Sequence, residues 1–210
     1  ELKSKAPLNI TTDNVAAARH ADVIILSVKP QIMKAVTQEL AKTVQNRKPL
    51  VLSIAAGITI DSLNTWLGGD LPIVRTMPNT PALVQTGATG LYANTAVSHE
   101  QKKLAESIMA AVGIALWVDK EPLLDAVTAI SGSGPAYFFL VLEAMVAAGK
   151  SLGLDEATAH QLASQTALGA AKMAISGDTP PAELRRRVTS PGGTTEQALN
   201  VLNNGNLVEL

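Results

Sequence analysis

The chain runs to 210 residues, 47% of them hydrophobic and 17% charged, with a formal net charge of −1. That balance is globular and supplies no basic field for a polyanion, and aromatics at 3% leave scarcely a stacking platform for bases, which argues against a general nucleic-acid binder. The absence of cysteine removes disulfide frameworks, thiolate metal sites and cysteine nucleophiles together, and His20, His99 and His160 stand in no metal-ligand spacing.

The first half alternates β-branched runs with helical patterns. Val23-Ile24-Ile25-Leu26-Ser27-Val28 is a continuous apolar run, the mark of a strand buried on both faces. Pro30 suits a first helical position, and Ile32, Val36, Leu40 and Val44 follow on one face. Leu50 to Ile54 is a second buried strand ended by Gly57. Thr59 caps a helix carrying Ile60, Leu63 and Leu67, stopped at Gly68-Gly69. Short strands are expected at Ile73–Thr76, Thr89–Tyr92 and Ala115–Val118, with a capping box at Ser98 to Gln101 opening a helix through Leu104, Ile108 and Val112. This rhythm predicts a Rossmann-like doubly wound parallel sheet over residues 1–120.

Residues 121–210 read as all-α. The stretch from Ala126 to Leu142 lacks charge, but Ser131-Gly132-Ser133-Gly134-Pro135 argues against a membrane-spanning helix there. A helix is expected from about Pro135 to Leu152, stopped by Gly153, and a second from a cap at Asp155 to about Ile175. Beyond a turn at Gly177-Asp178-Thr179-Pro180-Pro181 come a short basic helix (Ala182 to Val188), a loop at Ser190 to Thr195 and a last helix. Abundant alanine permits close helix approach. The apolar positions Val141, Met145, Leu152, Leu162, Leu168 and Met173 exceed what so small a unit buries alone, which predicts a homodimer. With no signal-peptide pattern at its start, the chain reads as a soluble cytoplasmic protein.

Ligands of doubly wound sheets bind beyond the carboxyl ends of the strands. Ser27-Val28-Lys29-Pro30 and Ala55-Ala56-Gly57 occupy that position after successive strands; singly they are a solvated lysine and a packing turn, together they favour a nucleotide site. Met77-Pro78-Asn79-Thr80-Pro81 follows the third strand. It either presents Asn79 and Thr80 to a ligand or holds an Asn bonded to its own backbone. Ser131 to Pro135 lacks the lysine of a phosphate loop and reads as a tight joint between helices. In Ser190-Pro191-Gly192-Gly193-Thr194-Thr195 the glycines free amides to converge on an anion at a helix start; otherwise Thr194 or Thr195 is an ordinary cap. No triad or close carboxylate pair is visible, so an enzyme built on these parts works by positioning, with a cofactor supplying the chemistry.

Taken in order, Ala21-Asp22-Val23 through Pro30, Ser53-Ile54-Ala55-Ala56-Gly57, Arg75 through Pro81, Ser131 through Tyr137 and Ser190 through Thr195 resemble the pyrroline-5-carboxylate reductases. The resemblance implies an N-terminal dinucleotide-binding domain, a helical domain interlocking with a partner subunit, and homodimers that assemble further into decamers. It implies NADPH, or NADH, against Asn14, Ser27, Val28, Lys29, Pro30, Ala55, Ala56 and Gly57. It also implies 1-pyrroline-5-carboxylate, reduced to L-proline, at Gly192, Gly193, Thr194 and Thr195, with the Thr195 hydroxyl on the ring nitrogen and Asp178 and Arg187 nearby.

The family's Gly-x-Gly-x-x-Gly turn has no counterpart in this sequence, and both ends look cut. The reading is therefore of a partial chain, lacking its first βαβ unit and some C-terminal helix, with β-strand 23–28 left as an unpaired edge. Another imine reductase is one alternative. A hydroxyacid dehydrogenase of the same build is a second, although Lys150 and Lys172 adjoin no matched loop. A catalytically inactive oligomerisation module is the third.

Overall fold

The computed structural model describes residues 7–207, and the chain divides into two compact units, Glu1–Phe138 and Phe139–Leu210. In chain order the first holds α1 (Asn14–Ala18), β1 (Val23–Leu26), α2 (Pro30–Arg47), β2 (Leu50–Ser53), α3 (Ile60–Trp66) and β3 (Ile73–Met77). A 3-10 turn (Thr80–Val84), β4 (Gly87–Ala93), α4 (His99–Ala110), β5 (Gly113–Trp117), α5 (Leu123–Val127) and a π-helical turn (Thr128–Gly132) follow.

The strands form one five-stranded sheet in the order β1-β2-β3-β4-β5. Strand alternation sorts the core into two layers. Val51 and Ile73 pack with Met33, Leu40 and Leu63 of α2 and α3, while Leu50, Leu52 and Val74 pack with Ala105 and Met109 of α4. Helices thus cover both faces, and the doubly wound Rossmann-like layer is as the sequence predicts. β3 and β4 depart from it by pairing antiparallel, with Arg75 opposite Tyr92. Their connection holds only the 3-10 turn, and a parallel return needs a crossover of about a dozen residues or more.

The caps fall where expected. Pro30 opens α2, Thr59 caps α3 through the Ser62 amide, and the Ser98–Gln101 capping box opens α4. The buried stripes are displaced, however. Along α2 the inward residues are Met33, Thr37, Leu40 and Val44, and Ile32 is 52% exposed. In α4 they are Ala105 and Met109, with Leu104 outward. Over the three steps from Ile32 to Val44 a strict four-residue spacing drifts around a 3.6-residue helix, so in α2 it cannot keep to one face. β1 is likewise not buried on both faces: Ile25 is 48% exposed, because β1 is the sheet edge and α4 contacts the far strands β4 and β5.

α6 (Gly134–Ser151), α7 (Glu156–Ile175), α8 (Pro181–Arg187) and α9 (Thr194–Asn204) complete the helical half. Gly153, at φ +100°, ends α6, and Asp155 caps α7 through the Thr158 amide. Within the second unit a Cβ on Gly149 would stand 3.1 Å from the Ala159 Cβ, so α6 and α7 approach closely through small residues. Val141, Met145, Leu152, Leu162, Leu168 and Met173 are all exposed.

The Ser-Gly-Ser-Gly-Pro stretch is a joint between two helices, α5 and α6, as the sequence suggests, but one that keeps the helical run going. The backbone passes through the π turn, in which the Ser133 amide donates to the Thr128 carbonyl at 2.8 Å, and Pro135 falls in the first turn of α6, where a missing N–H costs nothing. The run Leu123–Ser151 is, by length and composition, long and apolar enough to cross a membrane.

Candidate active site

β1, β2 and β3 are parallel, with Leu26 beside Ser53 and Ser53 beside Arg75, so the segments after all three emerge on one rim. The Ile54 amide donates to the Leu26 carbonyl and the Ala55 amide to Ser53 Oγ, holding the two loops side by side. Lys29 is the exposed N-cap residue of α2 and Pro30 its first residue. Ala55 is buried, whereas Ala56 and Gly57 are exposed. Gly57 adopts φ +73°, and a Cβ there would meet nothing within 4 Å. Asn14, the first residue of α1, lines a cavity of about 270 Å³ together with Ser27 and Val28. Seven of the eight residues proposed from the sequence for the cofactor, Ser27 to Pro30 and Ala55 to Gly57, thus follow neighbouring strands at one sheet edge, and Asn14 of α1 lines the same cavity as Ser27 and Val28.

Two polar clasps tie this rim to the segment that follows β5. Arg75, its side chain 7% exposed, pairs through Nη1 with Glu121 Oε1 at 3.1 Å, and its Nη2 stands 3.9 Å from Asp125. The same Glu121 oxygen accepts the Ile60 amide at 2.8 Å, at the first residue of α3. Asn79 donates through Nδ2 to the Ser131 carbonyl and accepts the Ala88 amide on Oδ1. Its polar groups therefore stitch the protein to itself, not through its own loop as an Asx turn would, but to β4 and the π turn. Thr80 is exposed. Against this loop a Cβ on Gly132 would meet Met77 Cε at 2.7 Å, so the glycine admits the thioether.

An arginine in the run Ile73-Val74-Arg75-Thr76-Met77 was the one sequence signal for the first clasp, since a buried guanidinium needs a partner. Nothing local identifies Glu121 as that partner.

In the second unit Asp178 lies exposed between α7 and α8. Arg187 bonds Glu183 Oε1 through Nε at 3.0 Å, and Arg186 binds the same carboxylate by two nitrogens. These bonds, Arg186 first and Arg187 second, hold the Glu183 carboxyl below the ordinary glutamate range.

At the glycine loop, Gly193 rather than Thr194 or Thr195 is the N-cap of α9, and no side chain caps it. Gly192, at φ +70°, donates its amide to Glu196 Oε2 at 2.8 Å, and the Gly193 amide bonds the Ser190 carbonyl. Thr194 and Thr195, both exposed, therefore open the helix with first-turn amides that lack intrahelical partners. The Glu196 contact has no signature in the sequence beyond an acid in a first helical turn.

Residues 121–210 match the family model described as pyrroline-5-carboxylate reductase dimerisation, and residues 1–57 match that described as NADP oxidoreductase, coenzyme F420-dependent. Pyrroline-5-carboxylate reductase of Pseudomonas aeruginosa is 58% identical over 199 residues, which cover 95% of this chain and 72% of that protein. A solved pyrroline-5-carboxylate reductase from Coxiella burnetii is 50% identical with a TM-score of 0.92, covering 99% of this chain and 77% of that one. The pyrroline carboxylate reductase of Plasmodium falciparum, solved with NADP bound, is 34% identical with a TM-score of 0.89, over 97% of this chain and 77% of that one. With likeness of this depth over both units, the chain belongs to the pyrroline-5-carboxylate reductase family.

Proposed function

We propose that the protein reduces 1-pyrroline-5-carboxylate to L-proline, the last step of proline biosynthesis, with NADPH as its nicotinamide cofactor. In a chain of this family, one observation carries the reading: Ser27 to Pro30 and Ala55 to Gly57 lie side by side at the carboxyl ends of adjacent parallel strands. The residues there fit a flat dinucleotide. Ala56 and Gly57 are small and exposed, the space over Gly57 is open, and Asn14 and Ser27 bring polar groups to the neighbouring cavity. When bound, NADPH supplies the hydride that the imine carbon accepts.

The remaining work is positioning. The helix start at Gly192 to Thr195 receives the substrate carboxylate, where the Thr194 and Thr195 amides lack intrahelical partners and the helix dipole favours an anion. The Thr195 hydroxyl bonds the ring nitrogen, which enters as a protonated, electrophilic imine and leaves as an amine. Asp178 and Arg187 flank the substrate. Residues 1–120 form the dinucleotide-binding domain and 121–210 the domain for dimerisation and substrate binding.

The exposed apolar positions of α6 and α7 face a second copy. The homodimer, five of which form a decamer, works in the cytoplasm without membrane or nucleic acid. Light scattering without detergent reports the dimer directly, and a monomer there sinks that part of the reading.

The activity itself is tested by titrating the chain with NADPH and then adding the cyclic imine. Saturable binding, followed by NADPH consumption with proline as product, is expected. Binding without proline formation overturns the substrate.

A further inference from the structure

We infer that Glu121 is a positioning residue for the cofactor rim, a role that rests on the nucleotide reading of Ala55-Ala56-Gly57. The segment from Ala55 to Thr59 leaves β2 and enters α3. Its upstream end is held by two bonds, Ile54 amide to Leu26 carbonyl and Ala55 amide to Ser53 Oγ. Its downstream end is held by a carboxylate: Glu121 Oε1 accepts the Ile60 amide, the first of α3. The only local cap of α3 is Thr59, which accepts from Ser62, so the Ile60 amide depends on a residue 61 positions away.

The carboxylate is itself immobilised. Arg75 bonds the same oxygen, its guanidinium is nearly sealed from solvent, and Glu121 is largely covered, at 20% side-chain exposure. Arg75 sits in β3 beside Ser53 of β2, two residues before the rim loop begins. A charged hydrogen bond in this setting is strong and directional, and its geometry sets where the loop ends. Glu121 is also the first residue of the segment matched by the dimerisation model. Within the first unit, a residue of the segment after β5 thus reaches back to fix the loop proposed to touch the nucleotide.

The experiment compares the parent full chain with Glu121→Asp, Glu121→Gln and Glu121→Ala. Asp keeps the charge for Arg75 but withdraws the oxygen by one methylene from Ile60, whereas Gln keeps the reach and an acceptor. NADPH affinity, measured by equilibrium titration without substrate, should weaken by roughly tenfold in Glu121→Asp and less in Glu121→Gln. Amide exchange over residues 55–60 should accelerate in Glu121→Asp while the β2 and β3 amides keep parent protection. At saturating NADPH, kcat and the KM for the cyclic imine should stay within about twofold of the parent.

Parent-like NADPH affinity and exchange in Glu121→Asp overturns the inference. So does a loss that tracks the melting temperature across all variants, which reports only a structural ion pair. A parent chain that binds no NADPH overturns the nucleotide reading itself, a result distinct from the other two.

Discussion

Asn79 bonds the Ser131 carbonyl across 52 positions of sequence, at 3.0 Å, while its Oδ1 accepts the Ala88 amide at 2.8 Å. One side chain thereby satisfies a β4 amide and a carbonyl of the π turn, and fixes the Met77-to-Pro81 loop between them. Asn79→Ala leaves two partly buried groups without this partner. It should cost about 1–3 kcal/mol of stability, read as a lowered urea midpoint. A parent-like midpoint would show that water replaces the amide without loss.

Gly113, the first residue of β5, has φ +152° and lies against Gly87 so closely that an added Cβ would fall on the Gly87 backbone. Backbone cannot yield as a flexible side chain does. Gly113→Ala should therefore destabilise the sheet by about 4 kcal/mol or more, in the range of the severe single substitutions. Chemical denaturation monitored by circular dichroism checks this, and a loss under about 1 kcal/mol would contradict the close approach.

Thr195 is exposed in the first turn of α9 and its side chain caps nothing. Thr195→Ala should leave stability within about 0.5 kcal/mol, yet lower turnover by roughly tenfold or more, a barrier increase of about 1.4 kcal/mol. Thr195→Ser, which keeps the hydroxyl, should stay close to the parent. Steady-state kinetics with the cyclic imine decides, and an unimpaired alanine variant would remove Thr195 from the mechanism.

Asp155 accepts from the Thr158 hydroxyl at 2.6 Å and the Thr158 amide at 3.0 Å, and these bonds hold its carboxyl below the ordinary aspartate range. A carboxyl depressed in the folded state favours folding when ionised. Its contribution is complete above the ordinary carboxylate range and disappears as pH falls through the lowered folded value. Glu183, depressed by Arg186 and then Arg187, acts in the same direction. The double variant Asp155→Asn, Glu183→Gln should show a flatter acid limb when the melting temperature is followed against pH. A limb as steep as the parent's would assign the acid sensitivity to other groups.

Local chemistry is legible in the sequence. Pro30, Thr59, the Ser98–Gln101 box, Gly153 and Asp155 act over three or four residues, so their types and spacing suffice. The placing of Ser27 to Pro30 beside Ala55 to Gly57 followed from alternation of strand and helix, because a parallel return carries the chain back to the same edge, whereas the antiparallel pairing of β3 with β4 did not. Other features were decided only in three dimensions. Whether Met33 or Ile32 faces inward depends on where α2 lies against the sheet. Ile25 is exposed because no described helix covers its face of the edge strand. The Ser-Gly-Ser-Gly-Pro joint passes from a π turn, which takes Ser131 and Gly132, through Ser133 into α6, with Asn79 bonding the turn from a distant loop. Glu121 finds Arg75 and Ile60 across 46 and 61 positions. Sequence carries the forces that act between neighbours along the chain; the partners of a buried charge or amide are set by which distant segments the fold brings within a hydrogen bond's reach.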